Sequence, residues 1–190
     1  FSMNIEDDLR RRDFTMNALI MDEHEKVQDF IGGKADLDHK LIRTIGTANE
    51  RFEEDALRML RAFRFVSKLG FDIEPATLQA ITDNADLIQT ISIERIMQEL
   101  DKIIRGTYRQ KALAYMIETG ISTVLYGLEE GINYVHTIPG TIYPIEFFII
   151  SFVLNDINDI WRFSNKDGRL IVQTITLHEV TKHEPFNKYI

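Results

Sequence analysis

Hydrophobic and polar positions change their period once along this chain. Up to Gly46 the apolar runs are short and separated by charged or glycine turns; after it they recur at three- and four-residue intervals. The first part predicts a short helix within 6–15, a strand over 19–21 and, across the charged turn 22–26, a second strand over 27–30 that completes a hairpin. Gly32-Gly33 then turns the chain into a short polar helix over 34–39, and a third strand over 42–45 ends at Gly46. The second part reads as all helix. Thr47 caps a short helix that leads into a longer one stopped by Gly70. Pro75 starts the next helix, to about 85, with Leu78 and Ile81 inward. Ser92 caps another that continues through Met97, Leu100 and Ile104 to Gly106. A helix over 108–118 ends at Gly120. The glycine-containing segment 121–142 predicts loops with short helical turns, and 144–154, 157–163 and 167–183 predict three more helices, with Trp161 in the core.

The segment Arg51-Phe-Glu-Glu-Asp55-Ala-Leu-Arg58-Met-Leu-Arg61-Ala-Phe-Arg64-Phe65 predicts one helix of strong helix formers, with acids early and arginines after them. At 100° per residue, Ala56, Met59, Leu60, Ala62, Phe63, Val66 and Leu69 share one broad face. Arg58, Arg61 and Arg64 step along the other, and Asp55 stands one i,i+3 step before Arg58. Such a stripe serves as a solvated face, or it serves chemistry. Arginine suits phosphate and planar hydrogen-bonding edges. A carboxylate acceptor beside a guanidinium donor matches an edge offering an amine and a ring acceptor. Cytosine and adenine have that edge; uracil and guanine reverse it.

Composition narrows the classes. Across 190 residues, 44% are hydrophobic, enough for a sizeable core and one or two domains. The absence of cysteine excludes disulfides, thiolate metal sites and a cysteine nucleophile, and fits a reducing cytoplasm. No apolar run reaches the roughly 18 residues of a membrane span. A net charge of −8 argues against indiscriminate nucleic-acid binding, so any such contact comes from local basic patches. There are two, the arginine helix and Asp8-Leu-Arg10-Arg11-Arg12-Asp13-Phe14-Thr15-Met16-Asn17-Ala18. Arg95 and Lys102 lie on a further helix and face solvent or RNA. Asp36 and Asp38 would hold Mg²⁺ together on a strand, but on the predicted helix they point about 200° apart, so no metal is expected there. His178 and His183 have the wrong spacing for zinc, and neither a P-loop nor a Gly-x-Ser-x-Gly element occurs.

Together the two arginine motifs resemble those of the bacterial-type tRNA nucleotidyltransferases, the CCA-adding enzymes of the polymerase-β-like superfamily. Residues 8–18 look like the motif closing that family's catalytic head, and 51–65 like its nucleotide-selecting neck motif. Ile42-Arg-Thr-Ile-Gly46 looks like the strand between them. The resemblance covers residues 5 to about 105. The family's Asp-Pro-x-Gly-Gly turn is similar to Asp29-Phe-Ile-Gly32-Gly33, with the proline gone and only a local backbone effect expected.

The resemblance implies a mainly α chain in three parts. These are a small β-containing remnant of the head (1–46), a helical neck that selects the nucleotide (47–106) and a helical, RNA-binding body (107–190). It implies that Arg12, Asp55, Arg58, Arg61 and Arg64 bind the incoming nucleotide, Asp55 and Arg58 reading the base, with Asp13 and Asn17 as secondary candidates. The implied partners are tRNA, CTP and ATP; no membrane contact is expected, and the oligomeric state stays open, a homodimer included. In the family, carboxylates in elements upstream of these motifs hold two Mg²⁺ ions. This chain begins after them, so no catalytic residue and no metal ligand is expected within it, and the chain alone is expected not to catalyse. Kept open beside this are a bacterial poly(A) polymerase of the same superfamily, a CC-adding or A-adding specialist, and a non-catalytic RNA-binding helical module.

Overall fold

A computed structural model describes residues 8, 9, 11–155 and 161–183. Asp8, Leu9 and Arg11 are helical, and a 3₁₀ turn spans Thr15–Asn17. Strand β1 (Leu19–Met21) pairs antiparallel with β2 (Val27–Asp29), the hairpin expected from the sequence. Helix α1 is Gly33–Asp38, and β3 is Leu41–Ile42. The helices that follow are α2 (Ala48–Glu54), α3 (Leu57–Leu69), α4 (Pro75–Asp83), α5 (Ile93–Ile104), α6 (Arg109–Glu118), α7 (Ile121–Val124), α8 (Glu129–Thr137), α9 (Pro144–Leu154) and α10 (Asn165–His183). The chain is mainly α, with two small two-stranded sheets among the described residues.

Helix α3 is the axle. It packs most extensively on α5 and α6, while α9 packs on α8 and α10. Its inward residues Met59, Leu60, Ala62, Phe63 and Val66 are fully buried. They belong to one continuous core running from Phe14 through Phe52, Leu100 and Leu113 to Phe147 and Ile171. A smaller cluster of Leu9, Ala18 and Ile45 lies under the hairpin.

Several expectations change. The predicted 51–65 helix is two helices, because Asp55 is extended (φ −153°, ψ 98°) and its carboxylate accepts from the Leu57 N–H, capping α3. Leu69 is 37% exposed rather than buried. The third strand is shorter than expected. Only Leu41 and Ile42 are strand, and they pair in parallel with β4 (Asp72–Ile73) inside the region read as all helix. Thr44 instead bridges to Phe14. Within 121–142 a nine-residue helix, α8, stands where loop with only short helical turns was expected. Of the helix expected over 157–163, residues up to 160 lie outside the described set, and Trp161 to Ser164 are not helical. Trp161 is in the core as expected, its indole N–H donating to the Tyr126 carbonyl.

Candidate functional site

The two arginine motifs meet at Asp13. The Phe14–Thr44 bridge and the Ile45 N–H to Asp13 carbonyl bond fix this segment against the strand that follows α1. The α1 corner is closed by Gly32, which takes a left-handed φ of +80°, and by Gly33, where a Cβ would strike the Thr15 carbonyl. Asp29 accepts from the N–H groups of Ile31, Gly33 and Lys34 (2.9–3.1 Å), so the turn forms without its proline. Buried Asp36 accepts from Thr15 Oγ1 (2.6 Å) and pairs with Arg43 (3.1 Å); it works as a structural anchor on the expected helix.

Asp13, 7% exposed, takes Arg58 on Oδ1 (2.8 Å) and Arg61 on Oδ2 (2.6 Å). Arg51 of α2 donates to the carbonyls of Arg11 and Arg12 (3.0 Å each) and pairs with Glu54. Arg12 is exposed; it donates to the Asn17 carbonyl (2.9 Å) and pairs with Asp8 (3.2 Å). The structure thus brings together Arg12, Asp13, Asn17, Arg58 and Arg61. Burial lowers the Arg58 pKa, with the Arg51 charge adding to that; Asp13 opposes both, and the guanidinium stays charged. Donors outnumber acceptors here. The Nε of Arg51, Arg58 and Arg61 is buried without a partner, a surplus of positive donors that suits an anion.

Asp55 and Arg64 stand apart from this node. Asp55 pairs with Arg95 of α5 through both oxygens (3.2 and 3.0 Å), not with Arg58. It borders a polar cavity of about 280 Å³ with Glu54, Ser92 and Arg95. Arg64 pairs with buried Glu99 (3.3 Å), which also holds Lys102 (2.8 Å), and its guanidinium stacks over Phe65 at 4.8 Å. The row of neighbouring guanidinium groups therefore divides, two arginines going to Asp13 and one to Glu99. Sequence reasoning overlooked Arg51 and Glu99. Arg51 had a signal, since it lies within the same motif; Glu99 had none. No group of three His, Asp or Glu side chains among the described residues could hold a metal ion, so the set does not fit Mg²⁺.

Comparison with known proteins gives this geometry a context. Residues 1–43 match the poly A polymerase head domain, and residues 70–129 match the "probable RNA and SrmB-binding site of polymerase A". These matches place two stretches of the chain, one on either side of the arginine helix, in families described for poly(A) polymerases. The CCA-adding enzyme of Geobacillus thermodenitrificans is 51% identical over 130 residues, 68% of this chain and 32% of that protein. That of Streptococcus pyogenes is 36% identical over 99% of this chain and 50% of its own length. The Bacillus stearothermophilus CCA-adding enzyme, solved in complex with CTP, superposes over the whole chain and 50% of its own, with a TM-score of 0.80 and 34% identity. This chain belongs to the CCA-adding enzyme family. It spans between a third and a half of the length of these curated relatives.

Proposed function

We propose that the protein carrying this chain adds CMP and AMP to the 3′ end of tRNA from CTP and ATP, with side chains rather than a template choosing the base. The observation that carries this reading is the meeting of the two motifs at Asp13, whose carboxylate holds both Arg58 and Arg61. In this reading Arg12, Arg61 and Arg64 bind the nucleotide. Asp55 accepts from the exocyclic amine of cytosine or adenine while Arg58 donates to the ring nitrogen beside it. Arg95 already donates N–H groups to Asp55, as the amine would, so base binding exchanges one donor for another. Asp13 orients the arginines, and Asn17 supports Arg12 through its carbonyl.

The layout that goes with this function is a head portion over 1–46, a nucleotide-selecting neck over 47–106 and an RNA-binding body over 107–190. Cytoplasmic work on tRNA fits the absence of cysteine, and among the described residues no helix is long and apolar enough to cross a membrane. Asp13 and Asp55 are engaged by arginines, so Mg²⁺ for this chemistry would be held by carboxylates other than these.

A second reading, a poly(A) polymerase, is favoured by the family names attached to residues 1–43 and 70–129. One experiment separates the two. The full-length protein is given a tRNA trimmed of its 3′ end and each nucleoside triphosphate singly and in pairs, and the product is sized on a denaturing gel. Two residues from CTP, and a third only when ATP is added, are expected. Long ladders from ATP alone would replace this reading with the second; no extension at all would leave an RNA-binding module.

A further inference from the structure

A buried arginine lies outside the Asp13 site and pairs with no acid among the described residues. Arg109 opens α6 and is 4% exposed. Its Nη2 donates to the Ile138 carbonyl (2.9 Å), which Gln110 Nε2 also reaches (3.2 Å), so loop 138–142 is drawn against the start of the helix. Its Nε is buried without a partner. Burial lowers its pKa and no neighbouring carboxylate raises it back. Buried charges are normally paired, since removing one from water is costly.

The space beside Arg109 has the matching chemistry. A cavity of about 320 Å³ is lined by Arg105, Thr107, Arg109, Gln110 and Thr141, with Ile104, Gly106 and Gly140 completing it and no acid among them. Neither threonine hydroxyl makes a hydrogen bond within the described residues. In the first turn of α6 the N–H groups of Gln110 and Lys111 have no acceptor there either, and the positive end of the helix dipole points the same way. A helix start alone would be weak ground; the unneutralised, buried guanidinium is the independent observation.

We propose that this cavity is a phosphate-binding subsite for one backbone phosphate of the RNA substrate, separate from the nucleotide site and holding the body on the RNA. It rests on the reading of tRNA as substrate. A phosphodiester oxygen would receive Nη1 of Arg109 and the threonine hydroxyls; Arg105 at the rim is already paired with Asp101 (2.9 Å).

The test uses the full-length protein, a trimmed tRNA and fluorescence anisotropy across a salt series, with CTP affinity and thermal unfolding measured alongside. Arg109→Gln removes the charge. Thr141→Glu leaves Arg109 in place and puts a carboxylate at the exposed mouth, with Thr141→Gln as its control for size. Loss of one phosphate contact lowers the slope of log affinity against log salt by about 0.7–0.9. We expect that drop in Arg109→Gln and several-fold weaker tRNA binding in both Arg109→Gln and Thr141→Glu. CTP binding should be unchanged in all three, and Thr141→Gln, which loses one hydroxyl but adds no charge, should weaken tRNA binding less than Thr141→Glu does. Unchanged tRNA affinity in a folded Thr141→Glu protein overturns the subsite and leaves the proposed function standing. Wild-type protein that binds CTP but no tRNA overturns the functional reading and the subsite with it. Stabilisation by inorganic phosphate that needs Arg109, without any effect of its loss on tRNA, overturns the RNA assignment in favour of a free anion.

Discussion

Around Asp13 the molecule is held by charge. One carboxylate gathers two arginines from α3, and a third reaches over from α2 to two main-chain carbonyls. Between α9 and the chain entering α10 it is held by rings. Phe148 contacts Phe147, Phe152, Trp161 and Phe163, with centroids 5.0–6.0 Å apart, edge-to-face with Phe147 and Phe163. The aromatic region satisfies itself; the arginine region keeps buried donors unpaired. A chain that needed only to fold would gain more from apolar packing at both places. The donor surplus at Asp13 is what an anionic ligand can use, and the aromatic region supplies stability that the site does not.

The largest expected effect comes from breaking the aromatic side. Phe148→Ala should lower unfolding free energy by about 3–5 kcal/mol, a typical loss for a buried ring with a cavity left behind, read by urea denaturation. A change below about 1 kcal/mol would show that the rings do not carry the stability of this region. Breaking the charged side should cost less stability and more function. Asp13→Asn leaves Arg58 and Arg61 with one neutral acceptor, and we expect a loss of about 1–3 kcal/mol. CTP binding by calorimetry should weaken several-fold because the arginines lose their alignment. Tighter CTP binding would instead mean that Asp13 merely offsets positive charge.

The same contrast explains what could be read from sequence. Met59, Leu60, Ala62, Phe63 and Val66 follow the helical period and are buried as that period requires. The hairpin followed from two apolar runs around a charged turn, and Gly70 stops α3 in the left-handed conformation as a C-cap glycine should. Strand β4 escaped because two residues have no period, and its pairing with β3, Leu41 to Asp72 and Ile42 to Ile73, joins positions far apart in sequence. Helix α8 escaped because Gly131 reads as a breaker; it is there because a Cβ would strike Ser151 of α9. At the site, spacing along one helix suggested a single row of arginines beside Asp55. Partners distant in sequence, Asp13, Arg95 and Glu99, decide where those side chains go. Periodicity reports which face a residue occupies, whereas ion pairing across elements depends on the fold.

A smaller effect sharpens the charged side further. Arg95→Ala releases Asp55 from an exposed pair, so stability should change by less than about 1 kcal/mol. If Asp55 reads the base, its freed oxygens should bind CTP and ATP about two- to five-fold more tightly, with UTP and GTP still rejected. Extension assays with all four nucleotides measure this. A loss of discrimination would assign Arg95 to holding Asp55 in its reading orientation.

The smallest effect lies at the α1 corner and depends on pH. The Asp29 pKa is lowered from its ordinary 3.8, first by the Lys34 N–H and then by those of Ile31, Gly33 and Gly32, against an opposing contribution from burial. A carboxylate with a depressed folded pKa stabilises the fold fully above its unfolded value. That stabilisation fades as the pH falls through the lower folded value. The side chain is exposed, so solvent screening keeps its contribution small. Asp29→Asn should therefore lose about 0.5–1 kcal/mol at neutral pH, in the range of a helix cap, and the deficit should close as the pH falls through the depressed folded pKa and the wild-type carboxylate is protonated too. Denaturation of both proteins at pH 7 and at acid pH checks the sign. A deficit that persists in acid would mean that the geometry of the turn, rather than the charge on Asp29, holds the corner that positions Thr15 beside Asp13.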